Sequence, residues 1–379
     1  MLTAMMSASL ITFASLTPQA PPLVQAAPAG TIVLPALAAP TREFVPASQA
    51  EFDTLKSGVR FYERGDYTSA LEVFQRLLER NPNNAQAMYE LALTHMARKE
   101  YQKAIDIAAK VAEIRTPELA RTYALIGNVL DMTGDPQRAV AVYRKGIELV
   151  TEGAATLYFN LAITYGQTLK DLPTAKAAAK QAALVDPTHA STQLFLAKLF
   201  LRDDLRTPGL FAAGRFLILE PTSTRIQEAY TLWHHVISGN LAPDGRGGMR
   251  VSMNPAQSKD EGDLTQLDLQ ISLSRINGMA ATDKTEIQRM VIQVDTLLGV
   301  YAMASAAKDD ATFLGTYYMP YFLEMRAKGF VEPFVYYISQ RTPFPGVRDW
   351  LTANPERVAA FLTWSRGYAW PGPVRAPVK

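Results

Sequence analysis

Residues 51–84 read EFDTLKSGVRFYERGDYTSALEVFQRLLERNPNN, and their pattern decides the architecture. Leu55, Phe61, Tyr67, Leu71, Phe74 and Leu78 keep to the three-and-four spacing that lines up one buried stripe on a helix. Gly58 and Ala70 are small where two helices must approach closely. Gly65-Asp66 breaks the first helix, and Asn81-Pro82 ends the second. The stretch is two amphipathic helices back to back.

The same unit returns down the chain. A small residue followed twelve positions later by a terminator occurs as Ala70/Pro82, Ala104/Thr116, Ala139/Thr151, Ala175/Pro187 and Gly209/Pro221. These small residues step by 34, 35, 36 and 34, and an earlier small column, Gly58, Ala92, Gly127, Ala162 and Ala197, steps by 34, 35, 35 and 35. The mismatch between the two columns predicts one extra residue in the turn at Lys170-Asp171-Leu172-Pro173, where an insertion is cheap. A helix–turn–helix period of about 34 residues resembles the tetratricopeptide repeat family. The resemblance spans 51–223, with a capping helix at 224–239. It departs at Lys99-Glu100, where the family prefers Gly, and at Asp204-Leu205-Arg206. It implies an all-α solenoid of about five helix pairs. As a statement about function it is coarse, because repeat scaffolds serve many partners.

At 379 residues the chain is long enough for a solenoid and a second domain. A net charge of +2 gives no basic surplus to displace counterions, so nucleic acid is not an expected partner. Cysteine is absent, which removes disulfides, thiolate metal sites and thiol nucleophiles. After residue 50 no apolar run reaches eighteen residues, so the body is not expected to span a membrane.

No charge precedes Arg42. The run MLTAMMSASLITFASL at 1–16, followed by TPQAPPLVQAAPAG, looks like a secretory signal with a cut after Ala20 or Ala26, although its first residues lack Lys and Arg. Residues 1–26 are therefore expected to be a signal peptide and 27–50 an Ala/Pro-rich leader. The expected compartment is the periplasm or the exterior. A membrane-anchored form facing the periplasm is the alternative, and the cytoplasm ranks last. Through this segment the chain could lie close to a membrane.

In the family, the first helix of each pair lines the concave face, where partners bind. The resemblance implies a partner-binding groove of Leu55, Val59 and Tyr62; Tyr89, Leu93 and Met96; Arg121, Ala124, Asn128 and Asp131; Phe159 and Ile163; and Leu194, Lys198 and Arg202. The Lys and Asn clamp by which some members hold a terminal carboxylate is missing from the first three copies. What remains is mostly apolar, with a polar patch at Arg121/Asn128/Asp131 and a basic end at Lys198/Arg202. Either an apolar or amphipathic peptide helix covers it, or the leader at 31–50 or the C-terminal helices fill it.

Beyond the capping helix (227–237), Gly239 to Gly248 opens a Gly/Pro-rich linker over 240–262. A helical domain is expected over 263–370 and a frayed tail over 371–379. Helices are expected at 264–280 and 283–306, the latter capped by Asp283 with Glu286. Others are expected at 310–328 with a kink at Pro320, at 331–339, and from Asn354-Pro355 to about Arg366. Tyr317, Tyr318, Tyr336, Tyr337, Glu324 and Glu332 read as an aromatic core or as an aromatic-lined glycan or partner site.

The four histidines form no metal-binding pattern, since His234 and His235 are neighbours about 100° apart on one helix. No HExxH, GxSxG or phosphate-loop pattern occurs. Ser305-Ala306-Ala307-Lys308 lacks its companion motif, and Asp203-Asp204 and Asp309-Asp310 fall where carboxylates usually cap helices. No catalytic residue, cofactor or metal is expected. The reading is a non-enzymatic scaffold for a protein or peptide partner, in envelope assembly or secretion, with self-association left open. The alternative is that the repeats position a C-terminal enzyme or glycan-binding module.

Overall fold

A computed structural model describes residues 32–239, 241–243, 245, 249–251, 261, 262, 264–280, 282–305 and 311–372. The signal-peptide expectation at 1–26 and the tail beyond 372 fall outside these residues. No helix among the described residues is long and apolar enough to cross a membrane.

Among the described residues the chain is all-α apart from one small hairpin. Five antiparallel pairs form the array: α1 (Gln49–Glu63) with α2 (Tyr67–Arg80), α3 (Ala85–Ala97) with α4 (Tyr101–Ala112), α5 (Leu119–Met132) with α6 (Pro136–Leu149), α7 (Ala154–Ile163) with α8 (Leu172–Val185), and α9 (Ala190–Arg202) with α10 (Arg206–Leu219). The cap is α11 (Ile226–Ile237). Ala70, Ala104, Ala139 and Ala175 all stand at 0% exposure, so the repeated column is one repeated environment.

The second small column pairs with the residue sixteen positions on, and the two sizes compensate. Gly58 faces Phe74 and Gly127 faces Tyr143, so that a Cβ at either glycine would sit 2.4 or 2.2 Å from the ring. At the other three levels, where Ala92, Ala162 and Ala197 replace glycine, position +16 is Ala108, Ala178 or Ala213. All five +16 residues are buried. A large ring is met by no side chain, and two methyl groups share the remaining levels.

The turn inside each pair uses a left-handed residue. Where the sequence has no glycine the chain still turns the same way, with Lys99, Lys170 and Asp204 at φ 62°, 60° and 55° beside Gly65 and Gly134 at 78° and 88°. The inserted residue of the fourth repeat is not in that turn, as its spacing suggested. It widens the end of α7 into a π-helical turn, Thr164–Thr168, because an α-helix absorbs one extra residue as a bulge without disturbing the packing on either side.

The leader lies on the second helices rather than in the groove. Val33 exchanges two hydrogen bonds with the Gln102 side chain on α4, and the Ile32 carbonyl accepts from Arg138 on α6. The Thr41 and Arg42 amides donate to the Glu113 carbonyl, while Arg115 N–H returns to Arg42 O. Ile32, Leu34, Leu37 and Phe44 pack on the core beneath.

Downstream, Leu241–Pro243 (β1) pairs antiparallel with Met249–Val251 (β2) inside the expected linker. The C-terminal helices are α12 (Thr265–Ala280), α13 (Glu286–Ser305), α14 (Met319–Ala327), α15 (Val331–Ile338), α16 (Val347–Ala353) and α17 (Pro355–Gly367). Two details differ from expectation. The capping box of α13 is Thr285 with Gln288, each accepting the other's amide N–H, so Asp283 lies outside it. Leu314–Tyr318 forms a second π turn that runs on into α14 with unbroken helical backbone, so Pro320, the second residue of α14, lies inside the helical run, where its ring and missing N–H interrupt the regular ladder. The helix α16 had no strong start signal in the sequence; Gly346 at φ 80° opens it.

These helices close around α10. Every residue from Arg206 to Ile218 is buried, unlike the one-sided second helices earlier in the array. Leu205, at the N-cap, has no side chain able to cap. Asp268 of α12 does the capping instead, accepting from the Thr207 N–H at 3.2 Å and its hydroxyl at 2.7 Å. One buried apolar cluster runs from Tyr89 in α3 to Phe361 in α17.

Candidate functional site

The first helices α1, α3, α5, α7 and α9 carry the expected groove residues, and their environments differ. Leu55, Tyr89, Ala124 and Leu194 are buried, while Val59, Tyr62, Leu93, Met96, Phe159 and Ile163 are half-buried. No apolar member of the set is fully exposed. The apolar surface along this face is therefore narrower than a fully open groove, because side chains on neighbouring first helices cover part of one another. Phe159 meets the Phe195 ring edge-on at 6.1 Å and the His189 ring at 5.1 Å.

The polar members are engaged within the array. The Arg121 guanidinium lies 4.3 Å above the Tyr89 ring, 2.8 Å from Glu118 and 3.6 Å from Glu90. Burial pushes the Glu90 carboxyl up, and the Arg121 charge holds it back. Asn128 accepts from the Tyr143 hydroxyl at 2.7 Å, and Asp131 accepts from the Thr164 hydroxyl at 2.8 Å. Thr164 reaches Asp131 from the first residue of the π turn, so the inserted residue and the polar patch belong to one feature. Lys198 pairs with Glu228 of α11 at 2.6 Å, which neutralises half of the expected basic end. Arg202 is exposed.

The aromatic residues of the C-terminal helices make a core. Tyr317, Tyr318 and Tyr336 are buried and Tyr337 half-buried. Gln193 of α9 donates to the Tyr317 hydroxyl at 3.0 Å and accepts from the Tyr318 hydroxyl at 2.7 Å. Adjacent residues diverge by about 100° on an α-helix; the π turn lets this pair converge on one amide. Tyr317 also donates to the Ala183 carbonyl at 3.1 Å. Glu324 accepts from the Trp364 indole at 2.7 Å, and Glu332 pairs with Arg357 at 2.7 Å. These contacts are structural in kind: they tie the π turn ahead of α14 to α8 and α9, and α14 and α15 to α17.

Among the described residues no group of three or more His, Asp or Glu side chains is placed to hold a metal ion. His95 lies 2.6 Å from Glu100, and burial lowers the pKa values of His189, His234 and His235. Arg215 lies outside every motif and register that the sequence offers. Its signal was present: one charge inside LFAAGRFLIL, residues 210–219, in a helix that has no solvent face.

Two family models, each described as tetratricopeptide repeat, match residues 55–120 and 120–149, and no family model matches the C-terminal part. The TPR repeat-containing protein MJ1428 of Methanocaldococcus jannaschii is 30% identical over 114 residues, covering 30% of this chain and 20% of that one. The small glutamine-rich tetratricopeptide repeat-containing protein 2 of Mycosarcoma maydis is 30% identical over 101 residues, 26% of this chain and 28% of its own. The chain thus spans less than a third of these two relatives. Among solved structures, the TPR protein TTC0263 of Thermus thermophilus aligns with a TM-score of 0.40 at 22% identity, covering 49% of this chain and 97% of that one. The pilF protein of Pseudomonas aeruginosa aligns at 0.39 and 18%, over 49% and 88%. Residues 55–149 of this chain are tetratricopeptide repeats, within an all-helical array of the kind that serves as a protein-interaction scaffold.

Proposed function

We propose that the array holds a protein segment, an amphipathic helix or an extended peptide, along its first helices, and that it does so as a non-enzymatic scaffold. The observation that carries this reading is the row of half-buried apolar side chains on α1, α3 and α7: Val59, Tyr62, Leu93, Met96, Phe159 and Ile163. Side chains that are half-covered in the free chain are pre-positioned and lose little freedom when a partner covers the rest. Arg121, flanked by Glu90 and Glu118, supplies a polar stop midway along the row. The leader lies on the second helices and leaves the row open to an external segment. The apolar run at 1–16 supports export, and with it a role in envelope assembly or secretion, facing the periplasm.

The test compares Leu93→Asp and Ile163→Asp with Ala104→Glu. The first two should abolish partner capture with helicity and melting temperature nearly intact. Ala104 is fully buried, so a charge there should unfold the array. If the two groove variants unfold as badly, the row is core and the site is lost.

A further inference from the structure

We propose that a cleft between α10 and α17 binds the carboxylate of a ligand with an apolar body. The site is separate from the first-helix row and does not rest on the scaffold reading. Its centre is Arg215, a residue only 2% exposed. Among the described residues no carboxylate lies within ion-pair distance of it, in contrast to Arg121, Arg225, Arg275 and Arg326, each of which has one. One N–H donates to Ser365 Oγ at 3.1 Å. The Nε is buried with no partner, and so is the indole Nε1 of Trp370. The rings of Tyr321 and Trp370 lie 5.2 and 4.8 Å from the guanidinium carbon and stack on one another at 4.8 Å. Aromatic faces offset part of the cost of a dehydrated cation, but they leave the Nε–H without an acceptor.

Both nitrogens are closed to solvent in the unliganded chain, on residues that border a cleft. Arg215, Ser365 and Trp370 line a cleft of about 670 Å³, with Arg366 also on its lining and Leu219 and Leu362 among its apolar walls. A volume of this size holds a small organic ligand. A planar fork of N–H groups matches a carboxylate, which it binds with two parallel hydrogen bonds. One buried cation in an apolar, aromatic cleft fits a single negative charge on a mostly hydrocarbon molecule. Such a carboxylate could be a free organic acid or the C-terminus of a peptide ending in an apolar residue, and the two share the chemistry that Arg215 reads.

Calorimetry on the full chain at pH 7, with Trp fluorescence in parallel, tests this. The probes are 4-phenylbutanoate against 4-phenylbutan-1-ol, and acetyl-Ala-Leu with a free carboxylate against its amide. At least one carboxylate should bind ten-fold or more tightly than its neutral counterpart, and the acid that binds names the source. Arg215→Met should weaken that binding by about 30-fold, within the range of a charged hydrogen-bonded contact, while the unliganded melting temperature holds or rises. If Arg215→Met fails to fold, Ser365→Ala with the acid–neutral comparison on the native chain still decides the matter. Equal binding of acid and neutral probe, or no binding at 10 mM, overturns the proposal.

Discussion

A single glycine shows how far packing in the array is specified. Gly127 is buried against Tyr143, whose ring would lie 2.2 Å from an added Cβ. The ring cannot swing away, because its hydroxyl donates to Asn128 and it is 1% exposed. Gly127→Ala should therefore destabilise by about 1–3 kcal/mol. The double variant Gly127→Ala/Tyr143→Leu should recover part of that loss, giving a non-zero coupling in a double-mutant cycle measured by urea unfolding. At Lys99, by contrast, the backbone already sits at φ 62°. Lys99→Gly should leave stability unchanged or raise it by up to ~1 kcal/mol, with relief of the left-handed strain set against added freedom in the unfolded chain. The column positions were readable because they repeat. The pairing of Gly58 with Phe74 and of Gly127 with Tyr143 was in the sequence too, but only a known helix-to-helix geometry turns a sixteen-residue offset into a contact. Asn128 and Asp131 fall in groove register; that their side chains turn to Tyr143 and Thr164 depends on the partner helix for the first and on the next repeat for the second.

At the level of elements, α10 has the most to say. Its first turn is capped from outside by Asp268, whose carboxyl burial pushes up to about 6, against hydrogen bonds from Thr207 and the Arg206 charge that pull it down. A carboxyl with a folded pKa above its unfolded value holds its proton more tightly in the native chain. Its contribution is then fully favourable below about pH 4 and is lost as pH rises through about 6. Buried histidines with lowered pKa values act in the opposite direction as pH falls, but they are common to both proteins in a comparison. The difference in unfolding free energy between the native chain and Asp268→Asn should therefore change between pH 4 and 6.5 and be flat above 7, as read from urea titrations across that range. Helix existence was legible for most elements, since periodicity, caps and Pro or Gly stops agree. The two π turns were not. An insertion shows in the spacing, yet the sequence alone does not say whether a turn or a helix end takes it up, and the turn at Lys170 kept its left-handed geometry with no need of the extra residue.

Across the whole molecule, the repeats and the C-terminal helices share one buried cluster, and the last pair is complete only when α12, α14, α15 and α17 cover α10. A chain cut after residue 239 should show exposed apolar surface, with increased dye binding and a lower melting temperature, whereas an array complete in itself would be unaffected. That closure was illegible beforehand because α10 matches the repeat spacing like any other second helix; only its uniform apolarity, broken by Arg215, sets it apart. Site-specific photocrosslinking tests partner capture along the first helices most directly. A photoreactive residue placed at Leu93, at Ile163 or, as a control, at exposed Lys110 on the second helix α4 would be activated in the intact host. The same polypeptide adduct is expected from Leu93 and Ile163 and none from Lys110. Adducts from Lys110 alone, or unrelated adducts at all three positions, would contradict it.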